Sequence, residues 1–257
     1  MNDGYPAHDD QGHEASTGVA SRAAEVAADI PYRAPTGAHP PREGLDRELR
    51  EIKDGVLRMG TLVEEAIHAA IDALVAHDAD AALAVIIGDR QINEMQRHVS
   101  TLITTTIATQ QPVARDLRFL LSLDHVTYEL ERIGDHAGSV AKQARKLAPH
   151  APLKRYVDLP RMGEIAADLV HGVLLALVDI DAEAARAVAA QDDEIDRLYH
   201  RTFEEVLQLM RADPDNVDRG ARILFAAHYL ERIGDRVTNI AEDVVFLSSG
   251  EIEDLNP

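Results

Sequence analysis

Two pairs of acidic residues repeat along this chain of 257 residues. One copy of the pentapeptide Glu-Arg-Ile-Gly-Asp begins at Glu131 and ends at Asp135. A second copy, 100 residues later, begins at Glu231 and ends at Asp235. Residues four apart lie on the same face of a helix, so each pair presents two carboxylates side by side. Such oxygen-rich pairs suit hard or borderline cations such as Mg, Mn, Fe or, with histidine, Zn. The motif therefore indicates two related candidate sites for divalent or trivalent metal ions.

The second copy of the motif has the larger set of candidate ligands. Its stripe continues at 100° per residue, and the preceding segment carries a further pair at four-residue spacing. The candidate ligands of this site are Glu231, Asp235, Asn239, Glu242, Asp192 and Asp196. Because more anionic oxygens give a higher affinity for a hard cation, we expect this site to bind more tightly than the first.

The first copy is the poorer site. Its candidate ligands are Glu131, Asp135 and Asp89. Asn93 stands where the second half has Asp196. Lys142 stands where the second half has Glu242, and its positive charge would repel a cation.

The same acidic stripe also fits a solvated charged face. Measured from Leu230 and Ile233, the stripe points away from the apolar seam of its helix, as on many surface helices. Two features favour a metal site over a solvated face, because each costs free energy that a plain surface helix would not need to spend. Like charges four residues apart cost a few tenths of a kcal/mol per pair. Gly134 and Gly234 lie mid-helix, where glycine costs about 1 kcal/mol relative to alanine, and we expect them to mark close helix approaches.

The elements that must position these residues are helices. Apolar residues recur at three- and four-residue steps and no segment alternates with period two, which predicts an all-α fold. The predicted helices are 45–73, 78–110, 112–147, 161–180, 182–210 and 214–247. The apolar positions around the two motifs repeat at the same shift, so we predict two tandem three-helix bundles related by internal duplication. The predicted units are a disordered tail over 1–44 and repeats over 45–150 and 155–250.

Composition narrows the classes of function. The chain has no cysteine, so disulfides and thiolate metal sites are excluded. Its net charge of −19 argues against nucleic-acid binding. Residues 1–30 lack the apolar core of a secretory signal, and the longest apolar stretch, 173–178, is far too short to span a membrane. We therefore expect a cytoplasmic protein.

Two other functional classes fit parts of this pattern. A carboxylate-bridged metalloenzyme of ferritin-like type needs Glu-x-x-His pairs inside a four-helix core, and only Glu65 and His68 have that spacing here. A metal-free helical adaptor fits if the stripe is only a solvated face. Because no nucleophile–base pair stands out, we expect a protein that is not an enzyme.

The chain resembles the PhoU family. The matching stretches are Arg58–Ile67 (RMGTLVEEAI), Gln110–Arg118 (QQPVARDLR), the first Glu-Arg-Ile-Gly-Asp, and Tyr229–Asp235 (YLERIGD) with Asn239–Glu242 (NIAE). They occur in family order and span essentially residues 45–250.

The resemblance implies both a site and a function. It implies tandem three-helix bundles with metal sites at the Glu/Asp-x-x-x-Asp motifs. It also implies a cytoplasmic regulator, expected as a homodimer, that acts between two partners: the ATPase subunit, PstB-like, of the phosphate ABC transporter and a PhoR-like sensor histidine kinase. The expected effect is negative control of phosphate uptake and phosphate-starvation signalling.

Overall fold

The first repeat is built of three long helices in a computed structural model that describes residues 43–255. They are α1 (Glu43–Ala76), α2 (Ala79–Gln110) and α3 (Ala114–Leu147). The prediction for 1–44 lies outside the described residues except at its end, where α1 already begins at Glu43. Asp78 caps α2, because its carboxylate accepts hydrogen bonds from the backbone N–H groups of Asp80 and Ala81, each at 2.9 Å.

The second repeat has the same order of elements but a divided middle helix. Its elements are α4 (Asp158–Asp179), α5 (Ala182–Ala189), α6 (Asp192–Ala212), a 3₁₀ turn (Pro214–Asn216) and α7 (Val217–Ser249). Asp181 caps α5 as Asp78 caps α2.

The single helix predicted over 182–210 is wrong. It is interrupted at residues 190–191, and α6 starts at Asp192. Asp192, Asp193 and Glu194 fill the first turn of α6, where acidic side chains are favoured by the partial positive charge of a helix N-terminus.

The long third helices of the two repeats, α3 and α7, pack against each other in antiparallel orientation. Arg236 Nη1 of α7 lies 3.3 Å from Glu129 Oε2 of α3. The rings of His136 and Tyr229 stack at 6.0 Å. These two contacts are equivalent under the 100-residue shift, so the duplicated halves meet around a pseudo-twofold axis.

The core confirms the all-α fold of two three-helix repeats. Ile133 and Ile233, at the centres of the two motifs, are both fully buried. No strand occurs among residues 43–255. No helix in that range is long and apolar enough to cross a membrane.

Candidate metal site

The second repeat brings four carboxylates together where α6 meets α7. Asp192 and Asp196 lie one turn apart at the start of α6, and Glu231 and Asp235 lie one turn apart on α7. Asp192 packs against the backbone of Gly234, where a Cβ atom would overlap its carboxylate. The close helix approach expected at this glycine is confirmed.

Two of the four acids in this groove, Asp192 and Glu231, have buried carboxylate oxygens that accept no hydrogen bond in the described structure. Asp192 is 4% exposed, and neither of its carboxylate oxygens has a hydrogen-bond partner within the described structure. Glu231 Oε2 is also buried and accepts no hydrogen bond in this part of the chain, although His228 Nδ1 lies at ion-pair distance from it. A buried ionised carboxylate needs a compensating charge or donor, and a cation would supply it.

Burial and mutual repulsion raise the pKa values of these acids. Burial, followed by the charges of Asp196 and Asp235, raises the pKa of Asp192 to about 7. Burial and Asp235 also raise the pKa of Asp196 and of Glu231. Raised carboxyl pKa values of this kind mark places where positive charge would stabilise the folded protein.

Two basic side chains offset part of the negative charge. Arg232 Nη1 lies 2.6 Å from Asp235 Oδ2, and His228 Nδ1 lies 3.2 Å from Glu231 Oε2. Neither forms an ion pair with Asp192 or Asp196 in the described structure. The groove therefore keeps two acids without a basic partner at ion-pair distance.

The remaining candidates of the second site are arranged less directly. Glu242 Oε1 accepts a hydrogen bond of 3.0 Å from the backbone N–H of Leu255, so this carboxylate is engaged with the C-terminal segment. Asn239 is half-buried on α7, one turn beyond Asp235.

The stripe on α7 is not the freely solvated face that the sequence analysis left open as an alternative to a site. The side chains of Glu231 and Asp235 are only 22% and 29% exposed. The exposure of the stripe was inferred from the apolar residues of α7 alone. In the structure, α6 packs along the flank of α7 and covers the stripe.

The first repeat repeats this geometry with fewer acids. Burial and Asp135 raise the pKa of Asp89 and of Glu131, so the charges of these three acids interact. Asn93 Nδ2 donates to Asp89 Oδ2 at 2.9 Å, which occupies one oxygen of the cluster. The charge of Lys142 lowers the pKa of Asp89, in keeping with a weaker cation site.

The donor set fits a metal ion at the second site. Across residues 43–255, no three Asp, Glu or His side chains already meet in the arrangement of a preformed metal centre. The fit rests on the buried oxygens of Asp192 and Glu231 that accept no hydrogen bond, and on the groove that these two residues share. Holding an ion there requires these side chains to turn toward one common point.

One feature near the site escaped the sequence analysis. His136 stacks on Tyr229, and its Nε2 is buried without a hydrogen-bond partner within the described structure. Burial and the nearby guanidinium of Arg236 lower the pKa of His136 to about 4, so this ring is neutral at pH 7. Its only sequence signal is its place directly after the first motif.

Fold and site together define a class: all-helical proteins made of two three-helix repeats, each with an acidic motif on its third helix. The family model for the PhoU domain matches residues 56–144 and 159–244. The chain belongs to the PhoU family.

Individual relatives agree with this assignment. The chain is 35% identical over 216 residues to the phosphate-specific transport system accessory protein PhoU homolog of Clostridium acetobutylicum, covering 84% of this chain and 99% of that protein. It is 37% identical over 209 residues to the protein of that name from Pseudomonas aeruginosa, covering 80% of this chain and 86% of that protein.

The fold also matches solved structures. The crystal structure of PhoU from P. aeruginosa has a TM-score of 0.77 and 36% identity, and the match covers 80% of this chain and 99% of that one. The phosphate transport system regulatory protein PhoU from Streptococcus pneumoniae has a TM-score of 0.76 and 30% identity, with coverage of 82% and 99%.

Proposed function

We propose that this protein is a metal-binding, non-catalytic regulator that is accessory to a phosphate transport system. Its relatives are named as accessory proteins of a phosphate-specific transport system, and the similarity extends over more than three quarters of the chain. The proposed action is negative: the protein restrains the phosphate ABC transporter and phosphate-starvation signalling when phosphate is plentiful.

The metal part of the proposal is supported by the buried carboxylate oxygens between α6 and α7 that accept no hydrogen bond. Asp192, Asp196, Glu231 and Asp235 would hold the ion. Asn239 would contribute a further oxygen ligand. Glu242 would contribute one after its hydrogen bond with the backbone N–H of Leu255 breaks. The weaker first site would use Glu131, Asp135 and Asp89. Fe, Zn, Mn or Mg would supply positive charge that neutralises the buried acids and ties α6 to α7.

The proposed partners are the PstB-like ATPase subunit of the transporter and a PhoR-like sensor histidine kinase, in the cytoplasm. The duplication offers two similar helical faces, which suits a protein that binds two partners or forms a homodimer. A net charge of −19 favours basic protein surfaces over nucleic acid.

Deletion of the gene tests the regulatory role. We expect a deletion strain grown in excess phosphate to raise expression of phosphate-starvation genes or to accumulate phosphate and polyphosphate. The full chain should restore control, and so should a version without residues 1–42, because the family match begins at residue 56. Normal phosphate regulation in a deletion strain without a second copy of the gene would refute the proposal.

A metal-free adaptor is the second candidate, favoured by the short ion pair between Arg232 and Asp235. In that case these residues balance one another's charge without a cation. Complementation separates the two functions: a site variant such as Asp192→Asn should fail to restore control if the metal is required, and should restore it fully if the protein is a plain adaptor.

A further inference from the structure

Two positions with basic residues have acidic partners in the second repeat, whereas the equivalent positions of the first repeat lack such partners. The sequence Arg-Met-Gly occurs at Arg58–Gly60 and again at Arg161–Gly163, so α1 and α4 correspond with a shift of 103 residues. In the second repeat, Arg161 pairs with Glu194 at 3.2 Å and with Glu164 at 3.4 Å.

The equivalent of Arg161 in the first repeat has lost both acidic partners. Thr61 stands at the position of Glu164, and Gln91 stands at the position of Glu194. Arg58 consequently forms no ion pair or hydrogen bond among residues 43–255.

The same loss occurs at a second position of the pair of helices. Arg201 of α6 forms an ion pair with Asp158. Under the shift of 103 residues, His98 of α2 takes the place of Arg201 and Gly55 takes the place of Asp158. His98 also has no bonded partner in the described part of the chain.

These unpaired groups line one groove between α1 and α2, of about 530 Å³. We call it the basic groove; its ionisable lining residues are Arg47, Arg50, Arg58, His98, Glu51 and Asp54. Its floor is apolar and tight: a Cβ atom at Gly55 would lie 2.8 Å from Cγ2 of Val99. Replacing the acid of the second repeat with glycine thus removes a negative charge and lets the two helices approach.

The two acids of the basic groove do not neutralise its arginines. Glu51 follows Arg47 by four residues and Asp54 precedes Arg58 by four, yet neither pair forms an ion pair in residues 43–255. Pairs at this spacing contribute only about 0.2–0.5 kcal/mol, so a more highly charged anion can compete with them. Arg50 uses only Nε within its own helix, where Nε donates a hydrogen bond of 3.1 Å to the backbone carbonyl oxygen of Asp46.

We propose that the basic groove binds the phosphoryl groups of an extended polyanion, an oligophosphate chain. Guanidinium groups recognise phosphoryl oxygens through paired, charge-assisted hydrogen bonds. Arg47 and Arg58 are separated by 11 residues of α1, or about 16 Å along the helix axis. A single orthophosphate cannot touch both ends of this row of cations, whereas a chain of phosphates extends along it.

The test uses the full chain stripped of metal ions, so that phosphate cannot bind through a metal. Isothermal titration with sodium tripolyphosphate should show binding that weakens as salt is added. Arg58→Gln should weaken it by roughly ten- to a hundredfold, the loss of one charge-assisted contact. Arg161→Gln is the matched control, because the same residue type in the second repeat is already paired, and it should bind as the wild type does. Orthophosphate should bind at least about tenfold more weakly than tripolyphosphate.

Four results would overturn the proposal: no binding of tripolyphosphate to the wild type, equal losses in Arg58→Gln and Arg161→Gln, equal affinity for orthophosphate, or binding only to vesicles that contain phosphatidic acid. The last would identify a lipid headgroup as the source of the phosphoryl group. The inference is independent of the proposed function, since Asp235→Ala, which alters the metal site, should bind tripolyphosphate unchanged.

Discussion

Replacing Asp192 by asparagine should stabilise the metal-free protein at alkaline pH. The side chain keeps its shape and loses the charge that lies buried against Gly234. In the wild type, burial and neighbouring acids raise the pKa of Asp192 from 3.8 to about 7. The folded state therefore binds a proton more tightly than the unfolded state does. The free energy of unfolding of the metal-free wild type should fall as pH rises from about 4 to about 7.

The size of the effect follows from the pKa of Asp192. Each pKa unit corresponds to about 1.36 kcal/mol, so the change from 3.8 to about 7 sets an upper limit of about 4 kcal/mol at pH 8. Screening by water at the mouth of the groove between α6 and α7 reduces this value. The amide of the introduced asparagine also lacks hydrogen-bond partners there. We expect a net gain of about 1–3 kcal/mol for Asp192→Asn at pH 8.

Urea denaturation of chelator-treated protein at pH 5 and pH 8 measures the effect. Asp193→Asn is the control, since Asp193 is the exposed neighbour of Asp192, and it should change the free energy of unfolding by less than about 0.5 kcal/mol. If Asp192→Asn destabilises the metal-free protein at pH 8, or if both variants change the free energy of unfolding equally, the electrostatic description of the groove between α6 and α7 is wrong.

The remaining predictions concern packing at the second motif. Gly234→Ala should displace Asp192 and lower both stability and metal content, whereas Gly138→Ala, where a Cβ atom meets nothing within 4 Å, should gain about 0.5–1 kcal/mol from helix propensity; urea denaturation would show opposite signs. Ile233→Asp should cost several kcal/mol, because it buries an unpaired charge at a fully buried position. Arg232→Ala, at a side chain that is 38% exposed, should cost about 1 kcal/mol or less, and thermal melts that rank it beside Ile233→Asp would contradict the helix phase.

The helical periodicity was sufficient to predict the fold. It placed Ile133 and Ile233 on the buried seam, and both are fully buried. The doubled glycines predicted close helix approaches, and a Cβ atom at Gly134 would lie 2.9 Å from Ile92 Cδ1. Period and repeat are local properties of the chain, and at these positions the tertiary packing agrees with them.

Tertiary contacts determine what the sequence did not predict. The break before Asp192 appears only as a run of three acids, which is also compatible with a continuous helix. The engagement of Glu242 by the backbone of Leu255 depends on how the C-terminal segment folds back. The half-burial of the stripe depends on α6, because the periodicity of α7 contains no information about its neighbour.

The metal content of purified protein is the most direct test of the central claim. Elemental analysis by mass spectrometry should find a bound metal ion in the wild type. Asp235→Ala should lose more of it than Asp135→Ala, since the second site has more acids and the first has Lys142 nearby. Wild-type protein without metal, or equal losses in the two variants, would contradict the account.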